Sequence, residues 1–271
     1  MLPKFPAKSG FARRLTPAAS CAILALGLWG CQTSNPSDIT GSLGEKAAKA
    51  SSNPRRDLAT FRERFKANPK DADAALKYGK ALRATGQKAQ AVAILEQASM
   101  SNPNNPALLA GYGRALADNG NFQQAFDVLG RAHTPEDPDW RILSAQGATL
   151  DQLGRFEEAR QYYTSALKIA PDEPSVLSNL GLSYVLSKEL PKAEETLRRA
   201  HNLAGSDLRI RANLALTLGL QGHMAEAEAL VKADMMPYEA EANVKMLKQI
   251  LAKRKGEAVD KMPVASVGRP D

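Results

Sequence analysis

Small residues return along this chain at a fixed spacing of 34 residues, and this period constrains the fold more than any other feature of the sequence. One series consists of Gly79, Gly113, Gly147, Gly181 and Ala215. A second series keeps the same spacing and consists of Ala91, Ala125, Ala159, Ala193 and Ala227. A period in this range indicates stacked supersecondary units, none of which can bury its apolar face alone. The sequence therefore predicts a solenoid.

Thirty-four residues accommodate two helices of about a dozen residues each and two short connections. The pattern resembles the tetratricopeptide repeat, and in residues 72–105 the matching residues are Ala75, Tyr78, Gly79, Leu82, Ala91, Leu95, Ala98 and Pro103. The later repeats span 106–139, 140–173, 174–207 and 208–241, and the last is degenerate because Asp234 replaces an expected alanine. The resemblance implies an all-α solenoid of about five helix-turn-helix repeats.

Four glycines, Gly86, Gly120, Gly154 and Gly222, are predicted to end the first helix of their repeats in a positive-φ turn. A half repeat is expected before the array, at 54–68, because Leu58, Phe61 and Phe65 follow helical spacing. An amphipathic capping helix is expected after it, at Tyr238–Lys255. The solenoid domain is thus predicted at 54–255, followed by a disordered tail at 256–271.

The front of the chain has the architecture of a secretory signal. Four cations, Lys4, Lys8, Arg13 and Arg14, precede an apolar run that is too short to span a bilayer. Residues 28–31, Leu-Trp-Gly-Cys, then resemble a bacterial lipobox, which implies a signal peptide at 1–30 and lipidation of Cys31. The alternatives are an ordinary signal peptide with a chance cysteine, or a misread start codon.

Cys31 would be the only cysteine of the mature chain, since Cys21 lies within the signal. By resemblance to lipoprotein sorting in Gram-negative bacteria, Gln32 favours the periplasmic face of the outer membrane. Residues 31–53 are rich in small polar residues and are predicted to form a flexible tether. Removing four signal cations lowers the net charge of +7 to +3, which gives no argument for nucleic-acid binding.

The residues suggest no enzymatic chemistry, cofactor or metal site. No Walker-type or dinucleotide-type glycine motif and no nucleophile elbow occurs in the sequence. His133, His201 and His223 lack a carboxylate or cysteine at ligand spacing. We therefore expect a binding protein.

In the family that this chain resembles, the first helix of each repeat lines a concave groove, mainly through its second, fifth, ninth and twelfth positions. In repeats one to three, the resemblance implies the groove residues Asp73, Leu76, Lys80, Arg83, Arg114, Arg141, Ser144 and Asp151. In repeats four and five it implies Ser178, Leu182, Val185 and Leu216. Such a groove is basic at its first end and apolar at its last, and a helical or extended protein segment is the expected ligand.

Asn179 and Asn213 follow the fifth position of their helices, where many members of the family bind peptide backbone. A hydrogen bond to the neighbouring helix is the alternative for both residues. The Lys/Asn clamp that chaperone-binding members use for a terminal carboxylate is not reproduced.

A tethered periplasmic lipoprotein with about five such repeats is similar to the TadD family of tight-adherence (Flp) pilus assembly. The resemblance implies a pilotin-like factor that binds the pilus secretin or another component of the pilus machine. One alternative is a general lipoprotein scaffold for cell-wall enzymes or outer-membrane protein assembly. Another is a cytochrome-assembly subunit, which would require a membrane span.

Overall fold

The computed structural model describes residues 54–233 and 237–260 of the chain, and every regular element in these ranges is a helix. The helices of this part are α1 (Pro54–Ala67), α2 (Ala72–Ala84), α3 (Lys88–Ser101), α4 (Pro106–Asp118), α5 (Phe122–Gly130), α6 (Trp140–Gln152), α7 (Phe156–Ile169), α8 (Pro174–Leu186), α9 (Leu190–Leu203), α10 (Leu208–Gln221), α11 (Met224–Lys232) and α12 (Pro237–Asp260). The predicted all-α solenoid of five helix pairs is confirmed. The predicted signal peptide, the tether and residues 261–271 lie outside the described residues.

The five first helices of the repeats (α2, α4, α6, α8 and α10) all begin after a capping side chain. An oxygen of each cap accepts a hydrogen bond from a backbone N–H of the first turn, and the caps are Asp71, Asn105, Asp139, Glu173 and Asp207. Each cap is worth about 1 kcal/mol, because it satisfies a donor that the helix cannot pair internally. The caps recur every 34 residues, so the repeat fixes where helices begin as well as what they bury.

The two helices of a repeat pack most closely at the glycines of the first series. A Cβ atom on Gly147 would lie 2.7 Å from the ring of Tyr163, and one on Gly181 would lie 2.5 Å from Cγ of Leu197. The alanines of the second series, which lie in the second helices, have no exposed surface. Small residues on both helices therefore let the backbones approach and seat one large side chain in each crossing.

Successive repeats stack with a consistent asymmetry. Each second helix (α3, α5, α7 and α9) packs on the first helix of the next repeat, and the first helices also contact one another. In the described part of the chain, second helices of successive repeats bring no Cα atoms within 8 Å of each other, and the contacts between them are made by long side chains, such as Phe126 with Tyr162 and Arg198 with Glu226. The stack is therefore closer along the first helices and curves toward them, which makes their outward face a concave wall.

Both ends of the array are covered by extra helices. At the first end, Phe65 of α1 packs on Tyr78, with ring centroids 5.8 Å apart, so α1 acts as the predicted half repeat. At the last end, α12 buries Val244, Leu247 and Leu251 against repeat five. These helices shield the apolar faces that the first and last repeats would otherwise expose.

Three helices differ in length from the pattern. The second helices α3, α7 and α9 are 14 residues long, whereas α11 of repeat five and α5 of repeat two have nine residues each, and α5 ends at Gly130. Pro135 and Pro138 follow, and proline disfavours the helical conformation at the residue before it. The capping helix α12 runs to Asp260, beyond the predicted domain end at residue 255, since a single glycine at 256 is tolerated among good helix formers.

The turn between the two helices contains one residue in an unfavourable conformation. Four repeats have glycine at this position, with φ from 76° to 92°, but repeat four has Lys188 with a φ of 66°. A side chain in the left-handed region costs about 1 kcal/mol because its Cβ crowds the following carbonyl. Lys188 is thus a local departure from the turn chemistry of the other repeats.

We expect Lys188→Gly to raise the free energy of unfolding by about 0.5–1 kcal/mol, since part of the relieved strain is offset by a more flexible unfolded chain. Urea denaturation followed by circular dichroism measures this change. Gly154→Lys is the reciprocal control: nothing lies within 4 Å of its Cβ position, so backbone strain alone should lower the stability. A loss of stability in Lys188→Gly would contradict the argument.

Candidate peptide-binding groove

The concave wall is held together by one contact that repeats along it. The fifth residue of a first helix touches the sixth residue of the next: Leu76 packs on Gly111, whose Cβ position lies 2.6 Å from the leucine Cδ2. Further along, the Asn179 amide donates to Ser144 Oγ at 3.1 Å, and the Asn213 amide donates to Ser178 Oγ at 3.0 Å. In all three pairs the residues are 35 apart, one repeat plus one.

These bonds bear on the two interpretations of Asn179 and Asn213. The structure contains the hydrogen bond to the neighbouring helix that was the alternative for both residues. Each amide uses one of two N–H donors in this bond, and its side chain is only half-buried. Binding of peptide backbone by these residues therefore stays a prediction. The hydrogen bonds within the wall already orient the two amides.

The ninth residues of the first helices form a row along the wall: Lys80, Arg114, Ala148, Leu182 and Leu216. Lys80 is exposed, whereas Arg114 lies low in the wall with 9% of its surface exposed. Leu182 and Leu216 are half-buried. The row changes from cationic to apolar along the array, with an alanine between.

Arg83, one of the predicted groove cations, is joined to an acid of the next repeat. Its Nε lies 2.6 Å from Asp118 Oδ2, and the two side chains are 11% and 5% exposed. Removing one partner of such a pair is costly because the other charge is left poorly solvated. Arg83 therefore joins α2 to α4. Sequence reasoning missed Asp118, although it too lies 35 residues beyond its partner.

Asp151, a predicted groove residue, is buried, whereas a carboxylate that contacts a ligand must be exposed. Its side chain is buried between α6, α7 and α8, where Tyr163 OH donates to Oδ2 at 2.8 Å and Ser183 Oγ donates to Oδ1 at 2.7 Å. Burial raises the pKa of Asp151 to about 6; the two hydroxyls and the charge of Arg160 only partly oppose this effect. Burial, with the Asp151 charge and hydrogen bond, also raises the pKa of Tyr163.

The remaining predicted groove residues differ in accessibility. Asp73 is exposed and accepts from Lys77 Nζ at 2.6 Å. The Arg141 guanidinium stacks over Trp140, 4.5 Å from the ring centroid, at the start of α6. Val185 is 2% exposed, so it contributes to packing between repeats. Cys31, the predicted lipidation site, lies outside the described residues.

The described residues do not bring together a set of metal ligands. Among them, no group of three or more His, Cys, Asp or Glu is arranged to hold a metal ion. The ring of His133 is instead hydrogen-bonded to Gln146 at 3.1 Å. Within residues 54–233 and 237–260, no helix combines the length and the apolar character that are needed to cross a bilayer.

Comparison with known families agrees with this architecture. The family model of the tetratricopeptide repeat matches residues 58–110, 86–147 and 152–212, and a second tetratricopeptide-repeat model matches residues 208–233. No curated protein gives a significant match to the chain.

Several solved structures are similar to this chain. A thermophilic tetratricopeptide-repeat protein of Thermus thermophilus is 22% identical, with a TM-score of 0.59 over 66% of this chain and 100% of its own. PilW, described as a widely conserved type IV pilus biogenesis factor, is 20% identical, with a TM-score of 0.59 over 73% of this chain and 90% of its own. The Cut9–Hcn1 assembly is 16% identical, with a TM-score of 0.60 over 75% of this chain and 40% of its own. At these low identities the likeness shows a shared fold.

The raised pKa of Asp151 predicts a pH-dependent stability. The folded state holds this proton up to a pH of about 6, whereas the unfolded state releases it near its ordinary value of 3.8. Stability from this group is therefore greatest in acid and falls as the pH rises toward 6. The free energy of unfolding of Asp151→Asn lacks this decrease. Relative to the wild type, we therefore expect it to rise by up to roughly 3 kcal/mol as the pH goes from 4 to 7.

Urea denaturation of both proteins at pH 4, 5, 6 and 7 tests this expectation. Ser183→Ala is the matched control, because it removes a hydroxyl that favours the ionised carboxylate. This variant should lose more stability than the wild type over the same pH range. Parallel stability curves for all three proteins would show that Asp151 does not titrate in this way.

Proposed function

Because the chain belongs to the tetratricopeptide-repeat family, whose members bind protein partners, we propose that its concave wall binds a segment of a pilus-assembly protein. The partner that we favour is the outer-membrane secretin of a Flp (tad) pilus or another component of that machine. In this proposal the protein is a pilotin-like assembly factor, held by a lipid on Cys31 at the periplasmic face of the outer membrane.

The observation that carries the proposal is the continuous wall of five first helices. Their fifth-to-sixth contacts align the helices, and the ninth-position row lies about a quarter turn from the glycine crossings that seat the second helices. Side chains that such contacts already hold in place lose less entropy when a ligand segment binds. An extended or helical segment fits this shape better than a small molecule does.

The location rests on the sequence before the solenoid. The cationic flank, the short apolar run and Cys31 together favour an exported lipoprotein, and Gln32 favours outer-membrane sorting. About 20 residues of tether give a root-mean-square reach of roughly 25 Å, which keeps the wall near the membrane. The anchor would thereby raise the effective concentration of the wall toward a membrane-embedded partner.

The pilus assignment has two supports. One is the similarity of the whole organisation to the TadD family. The other is the fold that the chain shares with PilW, a type IV pilus biogenesis factor. No step of this function requires catalysis, since binding and placement are sufficient to assist assembly.

Cross-linking in intact cells tests the proposal. A photo-reactive amino acid is placed at Leu216 on the wall and, as a matched control, at Lys168 on the opposite side in α7. The protein is then purified from detergent-solubilised outer membrane, and the captured proteins are identified by mass spectrometry. We expect a secretin or another pilus-machine protein from position 216, but not from position 168.

Cys31→Ala separates the anchor from the wall. We expect this variant to leave the outer-membrane fraction and to capture several-fold less of the partner, since the lipid supplies stable membrane attachment. Capture of cell-wall enzymes or insertion-machine components from position 216, without a pilus protein, would favour the general scaffold instead.

A further inference from the structure

The junction between repeats three and four buries a carboxylate whose bonded partners are hydroxyls. Asp151 of α6 accepts from Tyr163 OH of α7 at 2.8 Å and from Ser183 Oγ of α8 at 2.7 Å, so it touches both repeats. At the corresponding place in the other first helices there is no acid, the residues being Arg83, Ala117, Val185 and Gly219. The other second helices have an aliphatic residue where α7 has the tyrosine, namely Leu95, Leu129, Leu197 and Val231. Among the described repeats, this buried cluster is therefore particular to one junction.

The charged groups around Asp151 compensate it only in part. The cation that acts on it is Arg160 of α7, and this guanidinium is itself paired with Glu157 and Glu189. From α8 the nearby ionisable group is the phenol of Tyr184, which stacks with Arg160 at 5.1 Å. The other helices packed on α6 are α4 and α5, whose ionisable groups are Tyr112, Arg114, Asp118 and the exposed Asp127. An ionised Asp151 is thus a buried charge that is held mainly by two neutral donors.

Repeat three holds the end of α8 at a second place. Arg160 Nη1 donates to Ser187 Oγ at 3.1 Å, and Arg160 Nη2 lies 3.3 Å from Glu189 Oε1. Between these two partners lies Lys188, whose φ of 66° is unfavourable for a residue with a side chain. Residues 183–189 are therefore fixed to repeat three by Asp151 and by Arg160, in a segment whose backbone is strained.

Protonation of Asp151 changes the strength of the first of these two links. An ionised carboxylate at a closed junction has lost its water, and separating the repeats would restore that water. Burial raises the pKa of Asp151 to about 6, whereas at an open junction the pKa returns toward its ordinary value of 3.8. The closed junction therefore binds the proton more tightly than the open one. Acid favours the closed state, and raising the pH through this range favours the open state.

We infer that the junction between repeats three and four is a pH-sensitive joint, at which repeats one to three and repeats four and five are held together more firmly when Asp151 is protonated. Neighbouring repeats of a solenoid are joined only through their shared interface, so a weaker interface opens locally while the repeats on each side stay folded. Opening would interrupt the wall between α6 and α8. The inference concerns the chain alone and does not depend on the proposed function.

Amide hydrogen exchange of the full chain in detergent, followed by mass spectrometry of its peptides, tests the joint. Exchange rates at pH 5 and pH 7 are divided by the intrinsic rates at each pH, which gives protection factors that are free of the pH dependence of the exchange chemistry. We expect the protection of α6, α7 and α8 to fall about tenfold from pH 5 to pH 7, as the two pKa values of Asp151 require. Peptides from α2 and α3 should show no comparable fall.

Three variants assign the effect to the buried cluster. Asp151→Asn has nearly the same shape but no charge, so the protection of α6 to α8 should become independent of pH. Asp127→Asn is the matched control, because it removes an exposed carboxylate of α5 and should behave as the wild type does. Ser183→Ala removes a donor to the ionised carboxylate, so it should lower the protection more at pH 7 than at pH 5. This last variant keeps the test decisive if the asparagine disturbs the packing.

Three results would overturn the inference. One is equal protection of α6 to α8 at pH 5 and pH 7 in the wild type. Another is a pH dependence that persists in Asp151→Asn. The third is a fall of the same size in every helix, because the charge of Asp151 would then act on the unfolding of the whole chain and not on one junction. Since no ligand is present in these measurements, each of these results leaves the proposed function to its own test by cross-linking.

Discussion

The close crossing of the two helices in each repeat fixes the orientation of every other surface in this molecule. At Gly147 and Gly181 there is no room for a Cβ atom, because Tyr163 and Leu197 fill the space against the backbone. The eighth position of each first helix therefore points at its own second helix. With 3.6 residues per turn, the fifth, ninth and twelfth positions are turned from the eighth by about 60°, 100° and 40° in the same direction, so they form a wall beside the crossing. The same glycines that hold the fold thus determine which side chains a partner can reach.

Contacts between repeats follow from the way the helices stack. Leu76 with Gly111, Ser144 with Asn179, and Ser178 with Asn213 are each separated by one repeat plus one residue, as are Arg83 and Asp118. The extra residue means that each first helix is displaced slightly relative to the one before it. Because the offset is constant, pairs that differ in chemistry, from leucine on glycine to an ion pair, occupy equivalent places. The wall is therefore a regular surface despite a sequence that varies along it.

The fold could be predicted from the sequence because its determinants are periodic and local: small residues at the crossings, turn glycines and the alternation of two helices. The accessibility of the site could be predicted only in part. Asp151 occupies a nominal groove position, but Tyr163 and Ser183 enclose it, and those two residues come from different helices. The pairing of Arg83 with Asp118 required the 35-residue offset, which the repeat period alone does not reveal. The shortening of α5 was not predicted, because the average repeat pattern gives every second helix the same length and Pro135 is specific to repeat two.

The two halves of the wall, before and after α6, are also joined by different chemistry. The first half contains the ion pair between Arg83 and Asp118. The second half is joined by neutral amide–hydroxyl bonds, such as Asn213 with Ser178, which add no charge beside Leu182 and Leu216. Asp151, between the halves, is bonded to hydroxyls and shielded from the surface. The constant offset between first helices is therefore kept by an ion pair in one half of the wall and by neutral hydrogen bonds in the other, so the geometry of the wall does not depend on one kind of contact.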